Sequence, residues 1–466
     1  MPLSSDELAV FDRLSTELGA AQAKFDIADS YYDGMQNLEQ LGLAIPPELL
    51  KFTVIVNWPR IAVDSVEERL DIKGFRAAGE ESGDDELWRI WQANRMQEQF
   101  GLATLDYLIY GRTYVCVGTN ADDETTPVLT VESPRHLITD RDPLGNVRAA
   151  LRMYDVVNGL ATKATLYLPN VTIHLSSEGF AWQEVDGEDG RDEHDLGAVP
   201  VVPIFNRRRT TIPRGRTLQG VSEMEDVIPL TDSAARNLTN AQVAQETHAV
   251  PARGVLGATK GDFVDQDGKP LPQWAAYFGS VWALSNKDAK TFQFDSSDMS
   301  NFERMVELYA RQASAVSGLP ASYFGLAADD AASADAIRSR ETRLVRKAER
   351  KQVGLGNGAA DVMRLVTHVR DGQPDPKLNG LESLWHDAAT PTVAQKTDAV
   401  VKLYQSTDAS GRPLLPARFV YEELGYTPQR IKRILAERDR EVDPYLARLN
   451  DKDAADVDAE PAVVGD

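Results

Sequence analysis

Residues 318–351 read GLPASYFGLAADDAASADAIRSRETRLVRKAERK, and this stretch decides how the chain is built. Gly318 followed by Pro320 marks a helix end: glycine accepts the left-handed conformation after the last turn, and proline cannot continue a helix. A loop of small residues then carries the adjacent acids Asp329 and Asp330. Ser333 and Asp335 suit the start of the next helix, where unpaired amides and the helix dipole favour oxygen and negative charge. That helix carries Arg338, Arg340, Arg343, Arg346, Lys347, Arg350 and Lys351 against Glu341 and Glu349, a local charge of +5 in a chain whose formal charge is −22. Two readings stand for the run: a solvated or inter-subunit helix face, or an electrostatic device beside the loop.

Toward the N-terminus the apolar residues recur at helical spacing. Phe302, Met305, Tyr309, Ala313 and Val316 predict a helix over 299–317 with one apolar stripe. Val221, Met224, Ile228, Ala235 and Leu238 predict another from Gly220 to about His248, kinked at Pro229. Leu8, Phe11, Leu14 and Leu18 predict a helix over 4–30, and further helices are expected over 49–70 and 84–110. Between them the period changes to two. Residues 113–118, 128–131, 149–156, 164–168 and 171–175 read as strands, 179–197 as a loop or hairpin, and 199–205 as a short apolar run. The fold class is therefore α+β. Residues 250–294 are irregular and β-rich, with aromatics Trp274, Tyr277, Phe278 and Trp282. Gly354, Gly356 and Gly358 each cost about 1 kcal/mol against alanine in a helix, so a kink or break is expected there.

Composition narrows the class. A chain of 466 residues with 42% hydrophobic and 26% charged residues describes a globular protein of more than one packed unit. The single cysteine, Cys116, excludes an intramolecular disulfide and a cysteine-built metal site, and suits assembly in a reducing cytoplasm. No apolar run reaches membrane-spanning length and no basic-then-apolar segment opens the chain, so neither membrane insertion nor secretion is expected. An acidic chain is a poor general binder of nucleic acid, because affinity comes from neutralising phosphates. Arg207, Arg208 and Arg209 form a second basic cluster, readable as a solvated loop or as a contact for phosphate or an acidic partner.

The order of these parts resembles the portal proteins of tailed double-stranded DNA bacteriophages, particularly those infecting actinobacteria. The resemblance is carried by GLP at 318–320, YFG at 323–325, SADAIR at 333–338, YYDG at 31–34, VIVNWPRIAVDSVEERL at 54–70 and YGRTYVCV at 110–117, and covers most of residues 31–363. It implies a portal fold: a helical wing carrying a β insertion, a two-helix stem, a small α/β clip and a helical crown. By that analogy the wing spans 1–216, the first stem helix 217–247, the clip 248–298 and the second stem helix 299–318. A channel loop follows at 319–332, a long wing helix and connection at 333–389, a crown at 390–449 and an acidic disordered tail at 450–466. Tyr323, Phe324, Asp329 and Asp330 then belong to the channel loop, and Phe302, Met305 and Tyr309 to stem packing. Arg338, Arg340, Arg343, Arg207, Arg208 and Arg209 become contacts between subunits or to phosphate.

The resemblance further implies a dodecameric ring at one capsid vertex of the virion, assembled in the host cytoplasm. Its partners would be double-stranded DNA passing through the channel, the terminase packaging motor, the head–tail adaptor, and the major capsid and scaffold proteins. No cofactor or metal is implied. The residues themselves leave one alternative, a nucleic-acid-processing enzyme with an unrecognised active site. Against it, GxxxxGK[ST], GxSxG and HExxH are all absent, and the six histidines are scattered.

Overall fold

The computed structural model describes residues 3–37, 53–80, 83–178, 181–187, 190–209, 220–248, 253–257, 288, 290–293, 299–326, 334–389, 393–407 and 416–438. The chain divides into two units: 1–28, 63–223 and 341–466 form the first, and 29–62 with 224–340 the second. Among the described residues no helix is long and apolar enough to cross a membrane.

The first unit is built on antiparallel sheet. Strands β2 (Arg112–Gly118), β3 (Val128–Glu132) and β10 (Val201–Phe205) form a three-stranded sheet in the order β10-β2-β3. Strands β4 (Leu137–Arg141), β5 (Val147–Val157), β6 (Leu160–Tyr167), β7 (Val171–Glu178) and β8 (Ala181–Glu184) follow one another in the larger sheet, with β9 (Arg191–Glu193) also on β7. The segment 179–197 is thus partly strand. Helix α1 (Ser5–Tyr32) opens with a reciprocal cap: Glu7 N donates to Ser4 Oγ at 3.3 Å and Ser4 N to Glu7 Oε2 at 2.8 Å. Phe11, Leu14 and Leu18 of α1 pack on Ile138, Leu151, Leu166, Ile173 and Leu175 of the sheet. Leu8, expected on the same stripe, is exposed.

Three helix expectations are corrected. Of the helix expected over 49–70, the described residues from 53 onward form α2, Trp58–Glu67, and residues 53–57 are not helical. Pro59 explains the late start, since proline is suited to a first turn, where its missing N–H is not needed, and is disfavoured in a helix interior. The single helix expected over 84–110 is two, α3 (Asp85–Ala93) and α4 (Met96–Ile109), broken where Arg95 adopts φ 53°. Asn94 seals the break: its Nδ2 donates to Ile90 O and Pro127 O at 3.0 and 2.9 Å, and its Oδ1 accepts from Leu129 N at 2.9 Å. Helix α5 (Ile228–His248) begins after Met224, so Pro229 occupies its first turn and produces no kink.

In the second unit α5 packs along α6 (Ser300–Ser317), and Asn237 Nδ2 donates to Phe302 O at 2.8 Å. Tyr31 Oη donates to Asp232 Oδ1 at 2.7 Å. Between α5 and α6 the described strands β11 (Arg253–Leu256) and β12 (Lys290–Gln293) pair antiparallel. The aromatics at 274–282 lie outside the described residues.

Helix α7 (Ala334–Asp371) passes unbroken through Gly354, Gly356 and Gly358, against expectation. Close packing explains the glycines. A Cβ at 354 would lie 3.2 Å from Tyr107 Oη, one at 356 would lie 2.9 Å from Trp385 Nε1, and one at 358 would lie 2.6 Å from Ile204 Cδ1. Trp385 belongs to β13 (Glu382–Trp385), which pairs with β1 (Ile72–Arg76) across some three hundred residues of chain. In the region expected as crown, α8 (Val393–Gln405), α9 (Ala417–Glu423) and residues 428–438 are helical. The acidic tail lies outside the described residues.

Candidate functional site

The turn that opens residues 318–351 forms as its chemistry requires. Gly318 takes φ 75° and its N–H reaches Ser314 O at 2.9 Å, closing α6. Ser314 Oγ then donates to Leu319 O at 2.7 Å, fixing the exit. Residues Ala321–Phe324 make one 3-10 turn, stopped by Gly325. Phe324 is buried edge-on against Trp58, ring centroids 5.6 Å apart, while Tyr323 is half-buried. Phe324 is therefore an anchor for the loop base. Asp329 and Asp330 lie outside the described residues.

Helix α6 is apolar on more than one side. Ala310, Ala313 and Ser317 are buried, while Phe302 and Tyr309 are half-buried at the flank. Met305, Leu308 and Val316 are 39, 44 and 45% exposed. With Ala315 they share an arc of about 100° on the far side of the helix, from 100° per residue. Met305 and Val316 thus do not join Ala313 in one buried stripe; within the single chain they face outward.

The basic run of α7 splits into two groups. Arg340, Arg343, Arg346 and Arg350 are exposed, and Arg346 pairs locally with Glu349 at 3.0 Å. Arg338 lies in the first turns of the helix. Lys347 and Lys351 turn inward with Leu344, Ala348 and Leu355. Lys347 Nζ lies 2.5 Å from Glu223 Oε1, and Lys351 Nζ lies 2.7 Å from Glu223 Oε2. Lys351 also donates to Asn206 Oδ1, and Asn206 Nδ2 donates to Glu223 Oε2 at 3.1 Å and to Val221 O at 2.9 Å.

This hub exists because two chain segments approach closely. Gly111, at φ 80°, lets Val221 pass so near that a Cβ there would meet Val221 N at 2.5 Å. Asn206 N then donates to Gly111 O at 2.9 Å, and Glu223 N to Leu108 O at 2.8 Å. Burial raises the Glu223 carboxyl, but the two lysines outweigh it and hold it down at about 2. Burial conversely lowers Lys351, partly offset by Glu223. One further ion pair secures the start of this stretch: Arg69 Nη2 to Glu341 Oε2 at 3.3 Å, both largely buried.

Arg207, Arg208 and Arg209 follow β10 and are exposed, Arg207 at φ 47°. Sequence reasoning missed Glu223 and Asn206 as the partners of the lysines. A signal was present: Leu344, Lys347, Ala348, Lys351 and Leu355 recur at spacings that place both lysines on the apolar side of the helix.

An α+β chain with paired helices α5 and α6, a glycine-closed turn and a long basic helix is of the class the resemblance implied, a structural assembly protein. The phage portal protein family, SPP1 Gp6-like, matches residues 22–443, and the chain belongs to it. The portal protein of Mycobacterium phage D29 is 33% identical over 459 residues, covering 94% of this chain and 88% of that one. The portal protein of Mycobacterium phage L5 is 33% identical over 451 residues, with the same coverage. Among solved structures, the neck of an empty gene transfer agent particle aligns with TM-score 0.44 and 14% identity, over 84% of this chain and 92% of that one. The function is that of a phage portal protein, and the chain is a virion component. Nothing among the described residues or the relatives favours the enzyme alternative.

Proposed function

We propose that the chain is the repeating subunit of a closed homo-oligomeric ring, a dodecamer, set at one capsid vertex. DNA driven by a terminase motor enters the head through the ring and later leaves through it toward a head–tail adaptor. Major capsid and scaffold proteins surround it, and assembly takes place in the host cytoplasm. The observation that carries the reading is the doubly apolar helix α6. One side is covered by α5, and the other presents Met305, Leu308 and Val316 to solvent. A head-to-tail contact that repeats by a fixed rotation closes into a ring, and such a contact would cover this second side.

Within the ring, the loop at 319–332 would approach the DNA, with Asp329 and Asp330 repelling phosphate so that the duplex slides. Arg338, Arg340 and Arg343 would meet an acidic neighbouring subunit or touch phosphate in passing. The clip at 248–298 would present the docking surface for motor and adaptor, and deleting its tip at 262–269 should spare ring formation but abolish docking. The direct test is mass photometry with negative-stain imaging of the purified chain. The expected species is a large ring with an axial hole. A monomer or dimer at micromolar concentration would refute the assembly.

A further inference from the structure

We infer that Arg141, Arg208 and Arg112 form a binding site for a phosphate-type oxyanion, supplied by a nucleic-acid backbone or by free phosphate. The site lies at the turn between β4 and β5. Arg141 ends β4, and its Nε donates to Gly145 O at 2.7 Å. Its guanidinium lies over the Phe205 ring, 5.1 Å from the centroid, which fixes the plane of the fork. Arg208 enters from the other side. A Cβ on Gly145 would lie 2.8 Å from Arg141 Nη2 and 3.5 Å from Arg208 Nη2, so both guanidinium groups converge over one glycine that leaves the space open. Gly145 has φ 101°.

Arg112 stands directly opposite Phe205 in the pairing of β2 with β10, so its side chain shares that face. It is 6% exposed, and its Nε is buried without a hydrogen-bond partner, as is Arg141 Nη1. Among the described residues no ion pair joins Arg112, Arg141 or Arg208 to a carboxylate, and for Arg112, the buried one, this is unusual, since buried charges are ordinarily paired. The two carboxylates whose charge favours the Arg141 cation make their hydrogen bonds elsewhere. Asp142 accepts from Asn146 N and Nδ2 at 2.8 and 2.9 Å, and Asp361 is held by Arg364. Burial, then the charge of Arg208, disfavours the Arg141 cation, and a bound anion would relieve both. Planar guanidinium forks are the groups that recognise phosphate bidentately.

The DNA source of the oxyanion rests on the conduit reading above; the phosphate site itself does not. The test is calorimetric titration of the full chain with inorganic phosphate at low ionic strength, then with a short DNA duplex in the presence and absence of phosphate. Arg208→Ala, an exposed change, and Arg141→Lys, which keeps the charge but loses the fork, should each weaken phosphate about tenfold. Competition between duplex and phosphate identifies the backbone as the source; phosphate binding without competition identifies free phosphate. Absence of phosphate binding by the wild-type chain, or equal binding by both variants, overturns the site. So does loss of oligomers in Arg208→Ala without any phosphate binding, which would make the occupant a protein carboxylate. Rings failing to form while phosphate still binds would fault the conduit reading alone.

Discussion

Lys351 Nζ lies 2.7 Å from Glu223 Oε2 across 128 residues of sequence, and this buried contact ties the long basic helix to the segment after β10. Lys347 completes the pair of cations on the same carboxylate. Removing one member of a buried ion pair strands the others, at a cost of about 3–5 kcal/mol. Glu223→Gln should therefore destabilise the first unit by an amount in that range, read from the urea midpoint. A Glu223→Leu, Lys351→Met double change should cost less than the two single changes added. Full additivity would mean that the pair is not coupled.

Acid should act through two carboxylates. Glu7, hydrogen-bonded by Arg191 at 3.0 Å, and Glu223, held by the two lysines, both sit at about 2 against an ordinary 4.5. A lowered folded-state value contributes stability that is complete above the unfolded value and lost as pH falls toward the folded one. The contribution of these two groups should accordingly be constant above pH about 5.5 and decline progressively between about 5 and 2. Glu7→Gln should remove part of that slope. An unchanged slope in the variant would show that Glu7 does not carry it.

Local signals of the fold were legible in sequence, and long-range ones were not. Gly318 and Pro320 specify their turn by backbone chemistry alone, and the alternation in 113–118 specifies β2, so both appear where expected. The pairing of β1 with β13 had no signal, because Ile72–Arg76 and Glu382–Trp385 are too short to show a period. The break at Asn94 was hidden because apolar residues continue on both sides, and only the bonds of Asn94 to 127 and 129 enforce it. The glycines of α7 were read through local propensity, whereas tertiary contact with Tyr107, Trp385 and Ile204 decides them. The basic run was legible as charge; its division between solvent and Glu223 needed the fold.

Those glycines separate propensity from packing. Gly358→Ala adds helix propensity of about 1 kcal/mol but drives a methyl into Ile204, and overpacking typically costs about 1–3 kcal/mol. The net change should be destabilising. Gly19, exposed in α1 with nothing within 4 Å of an added Cβ, has no such penalty. Gly19→Ala should stabilise by about 0.5–1 kcal/mol. Thermal melts of the two variants should move in opposite directions, and movement in the same direction would contradict the packing account.

Charge on the outer side of α6 should report on assembly alone. Met305 and Leu308 are 39 and 44% exposed, so Met305→Asp or Leu308→Asp should change the stability of the single chain by less than about 1 kcal/mol. Burying that carboxylate between subunits would be strongly unfavourable. Light scattering should show fewer large oligomers with an unchanged circular dichroism spectrum. Unaltered oligomers in both variants would remove α6 from the interface.

The acids of the loop offer a separate test of the conduit, and the sequence order alone motivates it. The base of the loop is anchored by Phe324 against Trp58, so substitutions further along need not disturb the fold. Asp329 and Asp330 would keep the wall repulsive toward phosphate. The double change Asp329→Lys, Asp330→Lys converts repulsion into attraction along the path of the duplex. Rings should still form, but packaging or ejection should slow. Screening shortens the reach of these charges to about 8 Å at physiological ionic strength and further above it, so the defect should shrink as salt rises. Packaging by the double variant at the wild-type rate in low salt would place the loop away from the DNA.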